Sequence, residues 1–182
     1  MPSPELVAAL DRVPRGAVSG LVYRHLGAGY STMSGEGARV SGGRWNPPDS
    51  FPVIYTATPV EAAIAEFRRM AARQGRAETD FVNRRLVAYR VTLNGVLDLT
   101  QADNLAALGL TSRIITADDV VPCQAIGEAA HYVGYEGILA PSATSIGSVV
   151  AVFPTKLGAS STIEVLDEEL LVRYLARADS ND

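Results

Sequence analysis

Arg24, Arg44, Tyr55 and Glu66 are residue types that do chemistry together. Arginine forks match phosphate oxygens through paired, charge-assisted hydrogen bonds. Arg44 lies in "GGRWNPP", beside the chain's single tryptophan, Trp45, with Gly42 and Gly43 before it and Pro47 and Pro48 after it. Glycines there let backbone amides approach an anion closely, and the prolines fix loop shape. Tyr55 offers an aromatic face against which a planar base can stack. Glu66 offers a fixed negative charge where positive charge develops, an interaction strongest in a water-poor cleft. Singly, each has an ordinary alternative. A strand-end arginine pairs with a surface acid, a strand tyrosine fills the core, and a helical glutamate is solvated. Taken together, the residue types describe an anion-binding cleft with an acid beside it.

The elements that must position these groups follow from periodicity and punctuation. "GLVYRHL", Gly20 to Leu26, reads as a short apolar strand ending near Arg24. From Gly27 to Pro52 the chain is rich in Gly, Ser and Pro, a long ordered loop of the length that usually carries function. "PVIYTA" reads as a buried strand holding Tyr55. "TPVEAAIAEFRRMAARQG" is the clearest helix, with Thr58 as N-cap, Pro59 at the first position, Glu61 completing a capping box, and Gly75 as the stop. Val60, Ile64, Phe67 and Ala71 form its core stripe. Glu66 stands roughly 100° from Phe67, on the flank, where it can face a cleft edge. "RRLVAYRVTLNGVLDLT" alternates as a strand or a hairpin turning at Asn94-Gly95. "PCQAIGEAAHYVGYEG" reads as a helix, "GILAPSA" and "SVVAVFP" as strands joined by a turn, "STIEVL" as a strand, and "LDEELLVRYLARA" as a closing amphipathic helix. Hairpins and separated helices predict an α+β fold rather than alternating βαβ units. With no repeat or interior linker, residues 1–182 are expected to form one domain, its core spanning about residues 20–155, with a C-terminal strand and helix over 161–178.

Bulk properties narrow the function classes. The 182 residues are 47% hydrophobic and 20% charged, with a formal net charge of −4. That balance fits a folded globular domain and lacks the basic footprint of a nucleic-acid binder. One cysteine, Cys123, permits no internal disulfide, and two histidines, His25 and His131, give no zinc-type spacing. No basic-then-apolar leader and no membrane-length apolar run stand out, so the expectation is a cytoplasmic, metal-free protein that touches neither membrane nor nucleic acid. Trp45 is expected to anchor its loop in the core, Cys123 and His131 to be packing residues, and Arg39 to be solvated. Gly35-Glu36-Gly37 lacks the Lys-Ser/Thr ending of a P-loop.

"YRH", "SGEGARVSGGRWNPP", "IYTAT", "EAAIAEF", "CQAIGEAAHYVGYEGILAPSA" and "VVAVFP" occur in this order from about Val22 to Pro154, and with them the chain resembles the RES domain family. That family is best known as the toxin half of bacterial Xre–RES toxin–antitoxin pairs. The resemblance implies an ADP-ribosyltransferase-like core of mixed and antiparallel strands with flanking helices, acting on NAD. It also implies a partner, a cognate Xre-type antitoxin. Carried over by motif, Arg24 and Arg44 match the arginines of the NAD cleft, Tyr55 the strand tyrosine, Glu66 the glutamate, and Ser142 of "APSA" the serine. The arginines would hold the pyrophosphate, Tyr55 would stack near nicotinamide, and Glu66 would steady the cationic ribose. Ser142 would orient that ribose or Glu66. One departure is Phe153, where the family usually has asparagine before the late proline.

The resemblance leaves the acceptor open. Water makes an NAD glycohydrolase, inorganic phosphate an NAD phosphorylase, and a protein side chain an ADP-ribosyltransferase. The glycine-rich pattern looks most like mycobacterial members, for which phosphorolysis is the known variant. NAD is then a consumed substrate, phosphate a co-substrate, and no resident cofactor is expected. A non-catalytic module reporting NAD or ADP-ribose to a partner is the alternative from another class. Monomer and homo-oligomer both remain open.

Overall fold

Two long antiparallel strands carry the architecture. In the computed structural model, which describes residues 1–178, β1 (Gly16–Leu26) pairs along its length with β3 (Arg85–Asp98). Alternate β3 residues Val87, Tyr89, Val91 and Leu93 are buried, the period-2 signature of a strand with one face on a core. β2 (Ile54–Thr58), β4 (Gly137–Pro141), β5 (Ser148–Val152) and β6 (Thr162–Leu170) complete one sheet in the order β1-β2-β5-β4-β3-β6. β1 also pairs with β3, so the sheet closes on itself and β6 extends it. Among the described residues, only the β3–β4 pairing is parallel. This is the expected α+β class, with helices placed around a mixed, mainly antiparallel sheet.

α3 (Val60–Arg73) packs across β1 and β2, burying Ala62, Ala63, Ile64, Phe67 and Ala71. α6 (Val121–Tyr132), preceded by the short helices α4 (Ala102–Ala107) and α5 (Ser112–Thr116), covers another part of the sheet with α1 (Pro4–Leu10) against it. α7 (Leu171–Ala178) follows β6 directly. The core is correspondingly in three parts. One gathers Trp45, Phe51 and Phe153 with α6 residues, one is almost wholly strand residues, and one lies under α3. Among the described residues, no helix is long and apolar enough to cross a membrane.

Several local expectations change. β1 starts at Gly16, because pairing with β3 runs on through Gly20 opposite Val91 to Val18 and, past a register shift, to Gly16 opposite Val96. The Gly27–Pro52 segment is not all loop; it contains α2 (Glu36–Ser41). Thr58 does not cap α3. Its backbone belongs to β2, opposite Ser148, so Pro59 takes the cap position and no side chain caps the helix. Asn94-Gly95 is no hairpin turn either. Both amides donate to the buried Glu136 carboxylate, at 2.8 and 3.0 Å, which takes over their hydrogen bonding where β3 exchanges β6 for β4 as its neighbour. Finally, the acidic run Asp167–Glu169 continues β6, paired with Ala88, Val87 and Leu86, and the helix begins only at Leu171. Arg85 stabilises that arrangement through a 3.0 Å ion pair with Glu168.

Candidate active site

Arg24, Arg44, Tyr55 and Glu66 all line one cavity of about 620 Å³, within the range of about 300–1,000 Å³ usual for small-molecule sites. Residues from Tyr23 to Gly27, the Gly42–Trp45 turn, β2 and one side of α3 form its wall. The register explains the convergence. Tyr23 on β1 stands opposite Ala57 on β2, so Arg24 projects beside the strand that holds Tyr55. α3 crosses both strands and presents Ala63, Glu66 and Met70 to the same space, one turn apart.

The Arg44 loop is built to be stiff. Gly43 and Asn46 form an isolated bridge that closes the turn. The Tyr55 hydroxyl donates to Asn46 Oδ1 and accepts from the Trp45 amide, both at 2.8 Å. Burial, the main cause, raises the Tyr55 phenol well above its ordinary value, so it stays a neutral donor. A Cβ on Gly43 would lie within 2.7 Å of the Tyr55 ring and hydroxyl, so only glycine allows the loop to pass over that ring. Trp45 is 1% exposed and anchors the loop in the core as expected. Its carbonyl presses so closely on α6 that a Cβ at Gly127 would come within 1.8 Å of it. Arg44 is then aimed from outside the loop. Its Nη1 donates to the carbonyls of Ile115 and Ala117, at 3.0 and 2.8 Å, where α5 ends. Gln124 of α6 donates to the Gly43 carbonyl at 3.0 Å.

Arg24 is partly buried and held by its Nη1, which donates to Ser34 O at 3.0 Å and Thr32 O at 3.4 Å. Burial lowers its pKa from the ordinary value, and the neighbouring Tyr89 hydroxyl opposes that. A guanidinium tolerates such a shift and keeps its charge at physiological pH. Among the described residues, no carboxylate lies within 4.0 Å of Arg24 or Arg44.

Glu66 is half-buried, and its Oε1 accepts a 2.7 Å hydrogen bond from the Ser142 hydroxyl. Ser142, 2% exposed, does not itself line the cavity; its neighbours Pro141 and Ala143 do. Since its proton goes to Glu66, the 2.7 Å contact with Thr144 runs from the Thr144 hydroxyl to the Ser142 oxygen. Arg69 pins this turn by donating to Ala143 O at 2.8 Å while it pairs with Asp118. Of the two roles expected for Ser142, the geometry is that of orienting Glu66.

Two cavity residues escaped the sequence reading. Tyr30 is exposed yet lines the cavity, packed over Gly27 and Gly37. Arg84 also lines it, and its Nε donates to His25 Nδ1 at 2.8 Å. The available signal was the Arg84-Arg85 pair opening the strand that must face "YRH". His25 is thus engaged beside Arg24, while Arg39 is solvent-side and paired with Glu36. Cys123 is buried and His131 stacks on Phe51, both as packing residues. Among the described residues, no group of three or more His, Cys, Asp or Glu side chains could hold a metal.

Chemically, the cavity offers three guanidinium groups for anions and one oriented carboxylate. Comparisons with known proteins agree with the fold and extend the relationship. The chain is 41% identical over 155 residues, 81% of each protein, to the NAD(+) phosphorylase MbcT of Mycobacterium bovis and to that of Mycobacterium tuberculosis. A chain in the crystal structure of the M. tuberculosis MbcT–MbcA toxin–antitoxin complex superposes with a TM-score of 0.82 and 31% identity, covering 97% of each chain. The RES domain family model matches residues 21–173, and the chain belongs to the RES domain family.

Proposed function

We propose that this chain is an NAD-degrading toxin that cleaves the nicotinamide–ribose bond with inorganic phosphate as acceptor, restrained in the cytoplasm by a cognate antitoxin. The observation that carries this reading is the single cavity where Arg24, Arg44 and Tyr55 meet a carboxylate, Glu66, oriented by Ser142. The relatives named NAD(+) phosphorylase MbcT support phosphate over water or a protein as acceptor, and the complex with MbcA supports an antitoxin partner.

In this reading Arg24 and Arg44 hold the pyrophosphate of NAD through charge-assisted hydrogen bonds. The Tyr55 ring flanks the nicotinamide while its hydroxyl keeps the Arg44 loop in place. As the bond from the ribose carbon to the nicotinamide nitrogen breaks, its electron pair neutralises the pyridinium and the sugar becomes oxocarbenium-like. Glu66 stabilises that charge, which is present in the transition state and absent from the bound substrate. A phosphate oxygen then bonds to the ribose carbon, giving free nicotinamide and an ADP-ribose phosphorylated at that carbon. Ser142 fixes Glu66 through one oxygen and leaves the other for the ribose.

Nicotinamide release from NAD, followed with and without phosphate, tests this, with mass spectrometry of the sugar product. Phosphate-dependent release and a phosphorylated product are expected, with Glu66→Gln slower by about 10²–10³-fold. Release independent of phosphate would reassign the acceptor to water. No turnover by folded, antitoxin-free protein would overturn the reading.

A further inference from the structure

Arg84 is the third guanidinium on the cavity wall, and the reaction just described leaves it without a task. Its backbone is fixed: the amide donates to Phe81 O at 3.0 Å, and the carbonyl accepts from Leu171 N at 2.8 Å. Its side chain is fixed as well. Nε is spent on His25 Nδ1, and the guanidinium lies 5.9 Å from the centre of the Phe81 ring. Because Nδ1 is the acceptor, the His25 proton sits on Nε2. Burial first, then Arg84 and Arg24, push the His25 pKa down to about 3, so the acceptor persists at physiological pH. Among the described residues no acceptor takes Nη1 or Nη2 of Arg84, and no carboxylate lies within 4.0 Å of it.

That arrangement is costly unless an anion arrives. Burial lowers the Arg84 pKa, and the nearby charge of Arg24 lowers it further. The chain has 20 acidic residues against 16 basic ones, yet none of the described ones lies within 4.0 Å of either arginine. Two free Nη groups on a guanidinium held by its Nε form a fork suited to two phosphoryl oxygens. A lysine would bring the charge without that aim.

We infer that Arg84, aimed by His25 and adjoining Arg24, is a phosphate-binding residue of this cavity. It extends the proposed function by adding a phosphate contact beyond Arg24 and Arg44, and it rests on that reading for the ligand's identity. The phosphoryl group comes either from the pyrophosphate of the dinucleotide or from inorganic phosphate.

Calorimetric titration in a Glu66→Gln background separates the two, with inorganic phosphate alone and ADP-ribose alone as probes. Adding Arg84→Gln is expected to weaken one probe by about ten- to a hundredfold. Loss on the phosphate arm identifies a co-substrate site, and loss on the ADP-ribose arm identifies a pyrophosphate site. Arg84→Lys should restore only part of the affinity, and His25→Leu should reproduce part of the loss with Arg84 intact. Equal affinity of Arg84→Gln and its parent for both probes, with matching thermal melts, overturns the inference, as does binding of neither probe to the parent. Should Arg84→Gln not fold, Arg84→Lys supplies the same comparison. Failure of the wild type to release nicotinamide would sink the proposed reaction and leave this binding comparison standing.

Discussion

Gly127→Ala tests whether α6 sets the position of Arg44. The added Cβ would stand 1.8 Å from the Trp45 carbonyl oxygen and 2.6 Å from its carbon, both backbone atoms. Relieving the clash to an ordinary contact of 3.4 Å requires a shift of about 1.6 Å in the helix or the loop. The helix is tied down by buried Cys123, Ile126, Ala129 and Ala130, and Trp45 lies in the same core cluster, so the displacement is shared by the Trp45 backbone. Overpacking of this kind costs about 1–3 kcal/mol, and at this chain length each kcal/mol lowers Tm by about 2–4 °C. Arg44, adjacent to Trp45, moves with the loop, and a misplacement near 1 Å costs roughly a hundredfold in rate. The assay pairs a thermal melt with kcat/KM for nicotinamide release, with Gly29→Ala as control, since no atom lies within 4 Å of a Cβ there. Gly127→Ala behaving like that control in both measurements would refute the account of how the Arg44 loop is held.

Ser142→Ala removes the hydrogen bond that orients Glu66 and leaves the charge. A fall of about tenfold in kcat at nearly constant KM for NAD is expected from steady-state kinetics, because the bond acts on the transition-state charge. Glu136 governs acid stability. Burial alone would raise its pKa, but hydrogen bonds from the Gly158 amide, the Ser161 hydroxyl and the Asn94 and Gly95 amides outweigh that and lower it. Its folded pKa lies below the unfolded one, so its contribution is full above about pH 4.3 and is lost as pH falls through the folded value. Denaturant unfolding from pH 7 to pH 3 should show Glu136→Gln less stable at neutral pH by about 1–3 kcal/mol, with the gap closing in acid.

What could be read from the chain, and what could not, follows from the range of the interactions. α3 was legible because Ile64, Phe67 and Ala71 recur at helical spacing, and so was the placement of Glu66 on its flank. The alternating residues of β3 were legible too, but not its continuity. Asn94-Gly95 has hairpin chemistry locally, and only Glu136, some forty residues later, makes it a straight passage. The capping box failed for the same kind of reason, since Thr58 is claimed by pairing with Ser148. An acidic run before an apolar stripe resembles a helix start, whereas pairing with β3 holds Asp167–Glu169 extended and delays α7 to Leu171. In the site, residue type and motif brought out Arg24, Arg44, Tyr55, Glu66 and Ser142. Arg84 has no motif of its own, and its place in the cavity depends on strand register.

β5, Ser148–Val152, lies between β2 and β4 in the sheet and joins them. A chain still emerging from the ribosome has made Arg24, Arg44, Tyr55, Glu66 and Arg84 long before that strand exists. Until it does, β2 is paired along one edge only, through Tyr23 and Ala57, and Ser142 has no hairpin to present it to Glu66. The sheet that carries the cavity wall is therefore complete only once this late strand has been made. A fragment ending before Ser148 is expected to lack the hairpin that brings Ser142 to Glu66, and with it the carboxylate orientation on which the proposed reaction relies.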